Sequence, residues 1–145
     1  MHPFHAGDVL ELAGRRIEVL SALHTVPAVG FAVFPGPHEA AGRAWVFTGD
    51  TAPEAALWDR LQTLPTAILV VETAFSNDEH LVADISRHLH PASLGRQLQR
   101  IAPDIDVYIT HIKPGELDPV MSEIGALGDR HRIHALVAGQ VMSLG

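Results

Sequence analysis

The chain has 145 residues, of which 47% are hydrophobic and 19% charged, and its formal net charge is −7 with no cysteine. This composition is typical of one globular domain and excludes a wholly disordered chain. The acidic balance argues against nucleic acid as a partner, and the lack of cysteine excludes disulfides, thiolate zinc sites and cysteine nucleophiles.

The first half of the sequence predicts several β-strands followed by a helix. Residues 9–12 and 15–20 are partly alternating runs joined at Ala13 and Gly14, which indicates a β-hairpin. Further strands are predicted at 29–34 and 43–47, and the apolar spacing within 54–64 predicts a helix.

The second half alternates between predicted strands and helices, which favours an α/β layered fold. Its first strand, 67–71, is a continuous apolar run typical of a strand buried on both faces. A helix is expected to run through Leu81, Ile85 and Leu89, and Pro91 is well placed in the first turn of the next one. The remaining predictions are a helix from 91 through 101, a strand at 107–110, a helix at 118–127 and a strand at 133–138.

No repeat and no linker interrupts the sequence, so residues 1–145 are predicted to form a single domain. The longest apolar runs are far too short to span a bilayer, and residues 1–5 lack the basic and apolar regions of a signal peptide. A soluble cytoplasmic protein without a membrane partner is therefore predicted.

Polar pairs follow three of the predicted strands: Gly49 with Asp50, Glu72 with Thr73, and Thr110 with His111. Sites in α/β layers tend to form at the carboxyl ends of strands, which makes these residues candidates for a site. The Asp50 carboxylate can ligate one cation or bridge two, and the alternative is a turn residue that caps the next helix. His111 is a candidate metal ligand, and the alternative is a partly buried histidine that binds nothing.

Ten histidines in a chain without cysteine point to metal binding or to acid–base chemistry. His24 lies between two predicted strands. Like His111, it is either a metal ligand or a partly buried histidine that binds nothing. On a strand, His88 and His90 would share one face, a spacing that suits a metal, but the helix end predicted there lets their rings diverge. His80 is expected on an exposed helix face. Surface positions are expected for His2, His5, His38, His131 and His134.

Five segments in this order resemble the metallo-β-lactamase superfamily, and most nearly its class II cyclic-nucleotide phosphodiesterase branch, with ribonuclease Z as a relative. They are His-Thr-Val-Pro-Ala-Val-Gly-Phe at 24–31, Phe-Thr-Gly-Asp-Thr at 47–51, Glu-Thr-Ala-Phe-Ser at 72–76, His-Leu-His-Pro at 88–91 and Thr-His-Ile-Lys-Pro at 110–114. The resemblance covers residues 7–139. It implies an αββα sandwich that carries two divalent metals, usually zinc. This chain would be the C-terminal half of that sandwich, with an α/β fold of one mixed sheet and flanking helices.

The resemblance also implies a role for each matching residue. His24 would complete the first metal site, Asp50 would bridge both metals as a ligand and catalytic group, and His111 would bind the second metal. His90 would lie near the scissile phosphate and contact it or help to protonate the leaving oxygen. Glu72 would lie next to the ligands without binding metal.

The family's first metal motif, His-x-His-x-Asp-His, is absent from the sequence, since His2 and His5 have the wrong spacing. Each metal would then have one histidine and a share of Asp50, fewer than the three protein ligands usual in a catalytic zinc site. We therefore expect the chain alone to be metal-poor and nearly inactive. Because half of a sandwich exposes an apolar sheet face, a homodimer or a missing N-terminal half is the expected protein partner.

The resemblance implies hydrolysis of the phosphodiester bond of 3',5'-cyclic nucleotides, with cyclic AMP as the expected substrate. One alternative is a ribonuclease Z-like metallohydrolase, against which the acidic charge argues. The other is an inactive fragment that only binds a partner, which the missing metal motif supports.

Overall fold

A computed structural model describes residues 3–144, so His2 lies outside the described residues. Within this range the chain forms seven strands and four α-helices, with short 3₁₀ turns at Glu39–Ala41 and Asn77–Glu79. The strands are β1 (Val9–Leu12), β2 (Arg15–Ser21), β3 (Val29–Val33), β4 (Ala44–Phe47), β5 (Thr66–Glu72), β6 (Asp106–Thr110) and β7 (Ile133–Ala135). The helices are α1 (Ala55–Thr63), α2 (His80–Ser86), α3 (Pro91–Leu98) and α4 (Leu117–Gly125).

The strands form one mixed sheet in the order of the chain, from β1 to β7. Pairing is antiparallel from β1 to β4 and parallel from β4 to β7, so each of the last three connections must cross over through helices. All three crossovers step in the same direction along the sheet. Because such crossovers are right-handed, this direction puts their helices on one face.

The hydrophobic core lies between that face and the helices. Leu57 and Trp58 of α1, Leu94 of α3 and Val120 of α4 pack in one cluster with sheet residues such as Leu69. The predicted fold class, α/β with one mixed sheet and flanking helices, is confirmed. None of the helices in residues 3–144 is both long and apolar enough to cross a membrane.

The opposite face of the sheet carries two rows of mostly apolar side chains that no helix of this core cluster covers. Phe31, Phe47 and Tyr108 belong to one row, and Val33 and Trp45 belong to the other. All five are half-buried. This surface is called the open face below.

Helix α2 is shorter than its sequence predicts. It ends at Ser86, because Arg87 adopts left-handed backbone with a φ of 58°. Leu89 therefore leaves the helix and is fully buried in the core, whereas Ile85 is 81% exposed. The prediction of one continuous helical face through Leu89 was wrong, since the apolar spacing in the sequence did not reveal this turn.

His131 was predicted at the surface, and this prediction was wrong. The ring is buried, and its Nε2–H donates to the carbonyl oxygen of Ala102 at 2.9 Å. Burial lowers the pKa of His131 below its ordinary value of 6.5, and the contact with the Ala102 carbonyl offsets part of this shift. The sequence could not show that the loop after α4 packs against the loop after α3.

The lowered pKa of His131 predicts a pH-dependent contribution to stability. Below the ordinary pKa of 6.5 the unfolded chain binds more protons at this residue than the folded chain, so its contribution is lost as the pH falls. We expect the free energy of unfolding to fall less between pH 7.5 and pH 5 in His131→Gln than in the wild type. Urea denaturation at both pH values measures the difference, and His38→Gln at an exposed position is the control. An equal fall in wild type and His131→Gln would contradict the prediction.

Candidate metal centre

Four strands end at one edge of the sheet, and four of the candidate residues lie at their ends. Strands β2, β4, β5 and β6 run in the same direction, because β3 is antiparallel to both β2 and β4, and β4 to β6 are parallel. His24 follows β2, Asp50 follows β4, Glu72 ends β5 and His111 follows β6. The topology therefore brings residues that are far apart in sequence to the same edge.

Asp50 and His111 come together as expected of neighbouring strand ends, with Oδ2 of Asp50 3.6 Å from Nε2 of His111. His88 joins them, with its ring centroid 5.1 Å from that of His111. One ligand atom from each of Asp50, His88 and His111 lies within 4.8 Å of the other two. These three residues are called the edge cluster below. His24 adjoins it through His88, with the ring centroids 4.8 Å apart.

The carboxyl group of Glu72 orients the imidazole of His88. Oε1 of Glu72 lies 2.8 Å from Nδ1 of His88 and also accepts the backbone N–H of Thr51 at 2.9 Å. This contact holds the Nδ1 side of the ring on Glu72, so Nε2 is the nitrogen left for another partner. A hydrogen bond of this kind is how proteins fix the orientation of histidines that bind metals.

Burial disfavours charge on both groups of this pair. Burial raises the pKa of Glu72 to about 8, although the backbone N–H groups of Thr51 and Leu89 oppose the shift. Burial also lowers the pKa of His88 to about 4, and the neighbouring His111 contributes to this shift. His88 is therefore neutral at pH 7, which is the form of histidine that binds metals.

The other two imidazoles each have one polar contact. Nδ1–H of His24 donates to the carbonyl oxygen of Arg87 at 3.1 Å, which leaves Nε2 for another partner. The ammonium group of Lys113 lies 3.3 Å from Nε2 of His111. An ammonium group can only donate, so Nε2 of His111 accepts this contact and has a lone pair.

Unusual backbone conformations hold the residues of this edge. Gly49 and His111 both have left-handed backbone, with φ values of 65° and 61°. Such a conformation is unfavourable for a histidine and persists where the surrounding structure imposes it, often at functional sites. Main-chain bonds tie the adjoining loops together: Ala74 donates to Leu89 at 3.2 Å, and Lys113 donates to Ala74 at 3.0 Å.

The structure puts His90 next to a different group of residues. Nδ1–H of His90 donates to Oδ1 of Asn77 at 3.0 Å, and Nε2 lies 3.9 Å from Oδ1 of Asp84. His90 also begins α3 through a reciprocal hydrogen-bond pair with Ser93. The rings of His88 and His90 thus have different partners, and the catalytic role of His90 stays a prediction.

The edge cluster fits one divalent ion. Zinc bonds of about 2.0–2.2 Å keep two donors on one ion within about 4.4 Å of each other, so donors within 4.8 Å need shifts of only a few tenths of an ångström. A carboxylate and two imidazoles suit zinc and other borderline metals. A second ion at this edge would be held by His24 and by Asp50, whose carboxylate would bridge both ions.

Sequence reasoning noted that the spacing of His88 and His90 suits a metal, but it did not place His88 beside Asp50 and His111. The signal that could have found it is Glu72, an acidic residue at the end of an apolar strand. A buried carboxyl group needs hydrogen-bond partners, and a histidine is one that can also serve a site. What the sequence did not show is the left-handed turn at Arg87 that brings His88 to Glu72.

Several solved structures are similar to this chain, among them a metallo-β-lactamase fold protein. The metallo-β-lactamase fold protein YhfI from Bacillus subtilis has a TM-score of 0.78 at 16% identity, over 97% of this chain and 54% of that protein. Yeast PDE1 has a TM-score of 0.71 at 15% identity, over 92% of this chain and 47% of that protein. The short form of human tRNase Z has a TM-score of 0.66 at 13% identity, over 94% of this chain and 46% of that protein.

These comparisons identify the fold and the extent of the match. The chain spans about half the length of the proteins it resembles. No protein-family model matches the sequence, and no curated protein matches it. The shared fold is therefore established by the structure rather than by sequence similarity.

Gly49 is predicted to be required for the position of Asp50. A Cβ atom at Gly49 would lie 2.7 Å from the carbonyl oxygen of Val29, whereas one at Gly14, which is also left-handed, would meet nothing within 4 Å. We expect Gly49→Ala to lower the free energy of unfolding by more than about 1 kcal/mol, because strained backbone and a clash add. Gly14→Ala introduces only the backbone strain, so its free energy of unfolding should fall by less. Urea denaturation compares the two variants, and equal losses would show that the contact with Val29 is unimportant.

Proposed function

We propose that this chain forms the metal-binding edge of a hydrolase that cleaves phosphodiester bonds. The observation that carries the proposal is the edge cluster, where one carboxylate oxygen and one nitrogen from each of two imidazoles lie within 4.8 Å of one another. Bound divalent cations would supply a hydroxide near neutral pH and neutralise the charge that builds on the phosphate.

The proposed ligands are those of the family resemblance. His24 and His111 would each hold one of two ions, with zinc as the proposed metal, and Asp50 would be shared between them. The half-buried position of Asp50 and the exposed position of His111 leave these donors open to solvent and substrate. The cyclic-nucleotide substrate, the two-metal stoichiometry and the position of this chain as the C-terminal half are all parts of the proposal.

Lys113 supports an anionic substrate. Its ammonium group lies beside Nε2 of His111 and 6.0 Å from the ring centroid of Phe75. The chain as a whole has a net charge of −7, which repels anions at long range. The local positive charge of Lys113 at the edge cluster would attract a single phosphate group. The negative charge of the rest of the chain would repel a polyanion.

The substrate class proposed is a 3',5'-cyclic nucleotide, and cyclic AMP in particular. An open groove of about 570 Å³ is lined by Phe4 and by the loop that carries His24, so a nucleoside would fit next to the ligands. The acidic charge of the chain disfavours RNA, the substrate class of the ribonuclease Z-like alternative.

His90 is the proposed group that contacts the phosphate or protonates the leaving oxygen. Burial lowers the pKa of His90, and the nearby carboxylate of Asp84 opposes this shift. The ring is thus mainly neutral at pH 7, with the hydrogen on Nδ1 directed to Asn77. To act as an acid it must first gain a proton on Nε2, the nitrogen that faces Asp84.

The proposed protein partner is a second copy of this chain or the other half of a sandwich, packed on the open face. The support is the apolar character of that face, which carries Phe31, Val33, Trp45, Phe47 and Tyr108 in adjacent rows. The five side chains are half-buried, and an apolar surface that stays partly exposed over adjacent rows is uncommon on soluble monomers.

Hydrolysis assays test the proposed function. We expect the purified chain with Zn²⁺ or Mn²⁺ to hydrolyse cyclic AMP only slowly, because each ion lacks ligands that the chain does not supply. Asp50→Asn should fall to the uncatalysed rate, and His38→Ala should match the wild type. His90→Ala should keep its metal and lose about 10²–10⁴-fold in rate, as expected for an acid–base group. No turnover by the wild type would favour the inactive alternative, and cleavage of RNA instead, weakened by rising salt, would favour the nuclease.

Sedimentation velocity tests the proposed partner. We expect the chain to sediment as a dimer or larger species, because association would bury the open face. Trp45→Lys puts a charge on that face and should shift the distribution towards monomer. A soluble, cooperatively folding wild-type monomer would contradict the proposed partner.

A further inference from the structure

We infer that Arg87 joins Lys113 in an anion-binding pair that holds the phosphate group of a small ligand beside the edge cluster. The inference deepens the proposed function, on which it rests for an anionic substrate, and it adds Arg87 as a residue that contacts this substrate. The guanidinium group of Arg87 donates to the carbonyl oxygen of His24, and the ammonium group of Lys113 lies beside Nε2 of His111. The ring of His88 adjoins the rings of both histidines.

Two hydrogen bonds tie Arg87 to the loop that carries His24. Nη1 of Arg87 donates to the carbonyl oxygen of His24 at 3.2 Å, and the carbonyl oxygen of Arg87 accepts Nδ1–H of His24 at 3.1 Å. The same loop lines the open groove of about 570 Å³. Arg87 is exposed, and a guanidinium group has several N–H donors in a planar fork, so one bond to a carbonyl oxygen leaves donors for a ligand.

The backbone conformation of Arg87 favours a role for its side chain. Its φ of 58° and ψ of 56° are the left-handed values with which the chain leaves α2. Glycine adopts this conformation without strain and is the usual residue at such a helix end, so the turn by itself does not require an arginine. Non-glycine residues in this conformation are concentrated at functional sites, and Arg87 directly precedes His88 of the edge cluster.

Neither cation of the pair is neutralised by a carboxylate. The arginines that form ion pairs with carboxylates are Arg16, Arg43, Arg60, Arg100 and Arg132. Within residues 3–144, Arg87 and Lys113 have no such partner, although the chain has 17 acidic residues and only 10 basic ones. The carboxylate of Asp50 offsets one of the two charges, so the edge keeps a local positive potential that attracts one phosphate group. Hydrogen bonds from arginine to phosphate are charge-assisted and often bidentate.

Titration of the metal-free chain with inorganic phosphate tests the inference. In ¹H–¹⁵N NMR spectra, we expect a saturable shift of the Nε–Hε resonance of Arg87 and of the backbone amide of Lys113. Cyclic AMP should compete with phosphate, and adenosine, which has no phosphate, should not. Followed at the Lys113 amide, Arg87→Gly should raise the Kd for phosphate by about tenfold or more, the loss expected for a hydrogen bond to a charged group. Arg87→Lys keeps the charge without the fork, so its Kd should be intermediate.

Arg87→Gly separates ligand binding from folding. Glycine relieves the left-handed strain and keeps the carbonyl oxygen that His24 contacts, so the variant should have a thermal midpoint close to that of the wild type. Arg15→Gln is the matched control. It removes the same charge from an exposed arginine at the start of β2, at the edge of the sheet opposite the edge cluster, and it should bind phosphate as the wild type does.

Equal phosphate binding by wild type and Arg87→Gly would overturn the inference, and so would the absence of saturable binding by the wild type. An equal loss in Arg87→Gly and Arg15→Gln would also overturn it, because net charge alone would then explain the effect. These measurements do not use turnover. Phosphate binding that depends on Arg87, without hydrolysis of any phosphodiester, would therefore refute the proposed function and leave the inference standing. Hydrolysis of cyclic AMP with the same KM in wild type and Arg87→Gly would have the opposite meaning.

Discussion

The buried carboxyl group of Glu72 organises the edge of the sheet at which the candidate site lies. It ends β5, a strand with a parallel neighbour on each side, and it accepts the N–H of Thr51 from the loop after β4. It also bonds to His88 and Leu89 from the segment between α2 and α3. A carboxyl group in this position would be strongly unfavourable without these bonds, so three chain segments are held together by the need to satisfy it.

The order and direction of the strands explain the rest of the architecture. Three parallel crossovers that step the same way put the core helices on one face, and the strand ends that carry Asp50 and His111 on one edge. The same arrangement leaves the open face, with Phe31, Trp45 and Phe47, outside the core. The potential site and the potential contact surface are therefore both consequences of one topology.

Much of the fold and part of the candidate site could be predicted from the sequence, and the exceptions have local physical causes. Strand and helix positions follow from apolar periodicity, and the meeting of Asp50 with His111 follows from their positions after parallel strands. The end of α2 could not be predicted, because the left-handed Arg87 is stabilised by tertiary contacts rather than by residue preference. That turn is what brings His88 to Glu72, so the unpredicted position of His88 and the mispredicted helix end have the same origin. His131 was missed because its burial depends on how two distant loops pack.

The most direct test of the account is the position of a bound metal. Crystals of the chain soaked in Zn²⁺ and measured at the zinc absorption edge would show each ion as a peak of anomalous scattering. The account predicts zinc at the edge cluster, in contact with Asp50 and His111, with Nδ1 of His88 still bonded to Glu72. Peaks only at exposed histidines such as His5 and His38 would contradict it.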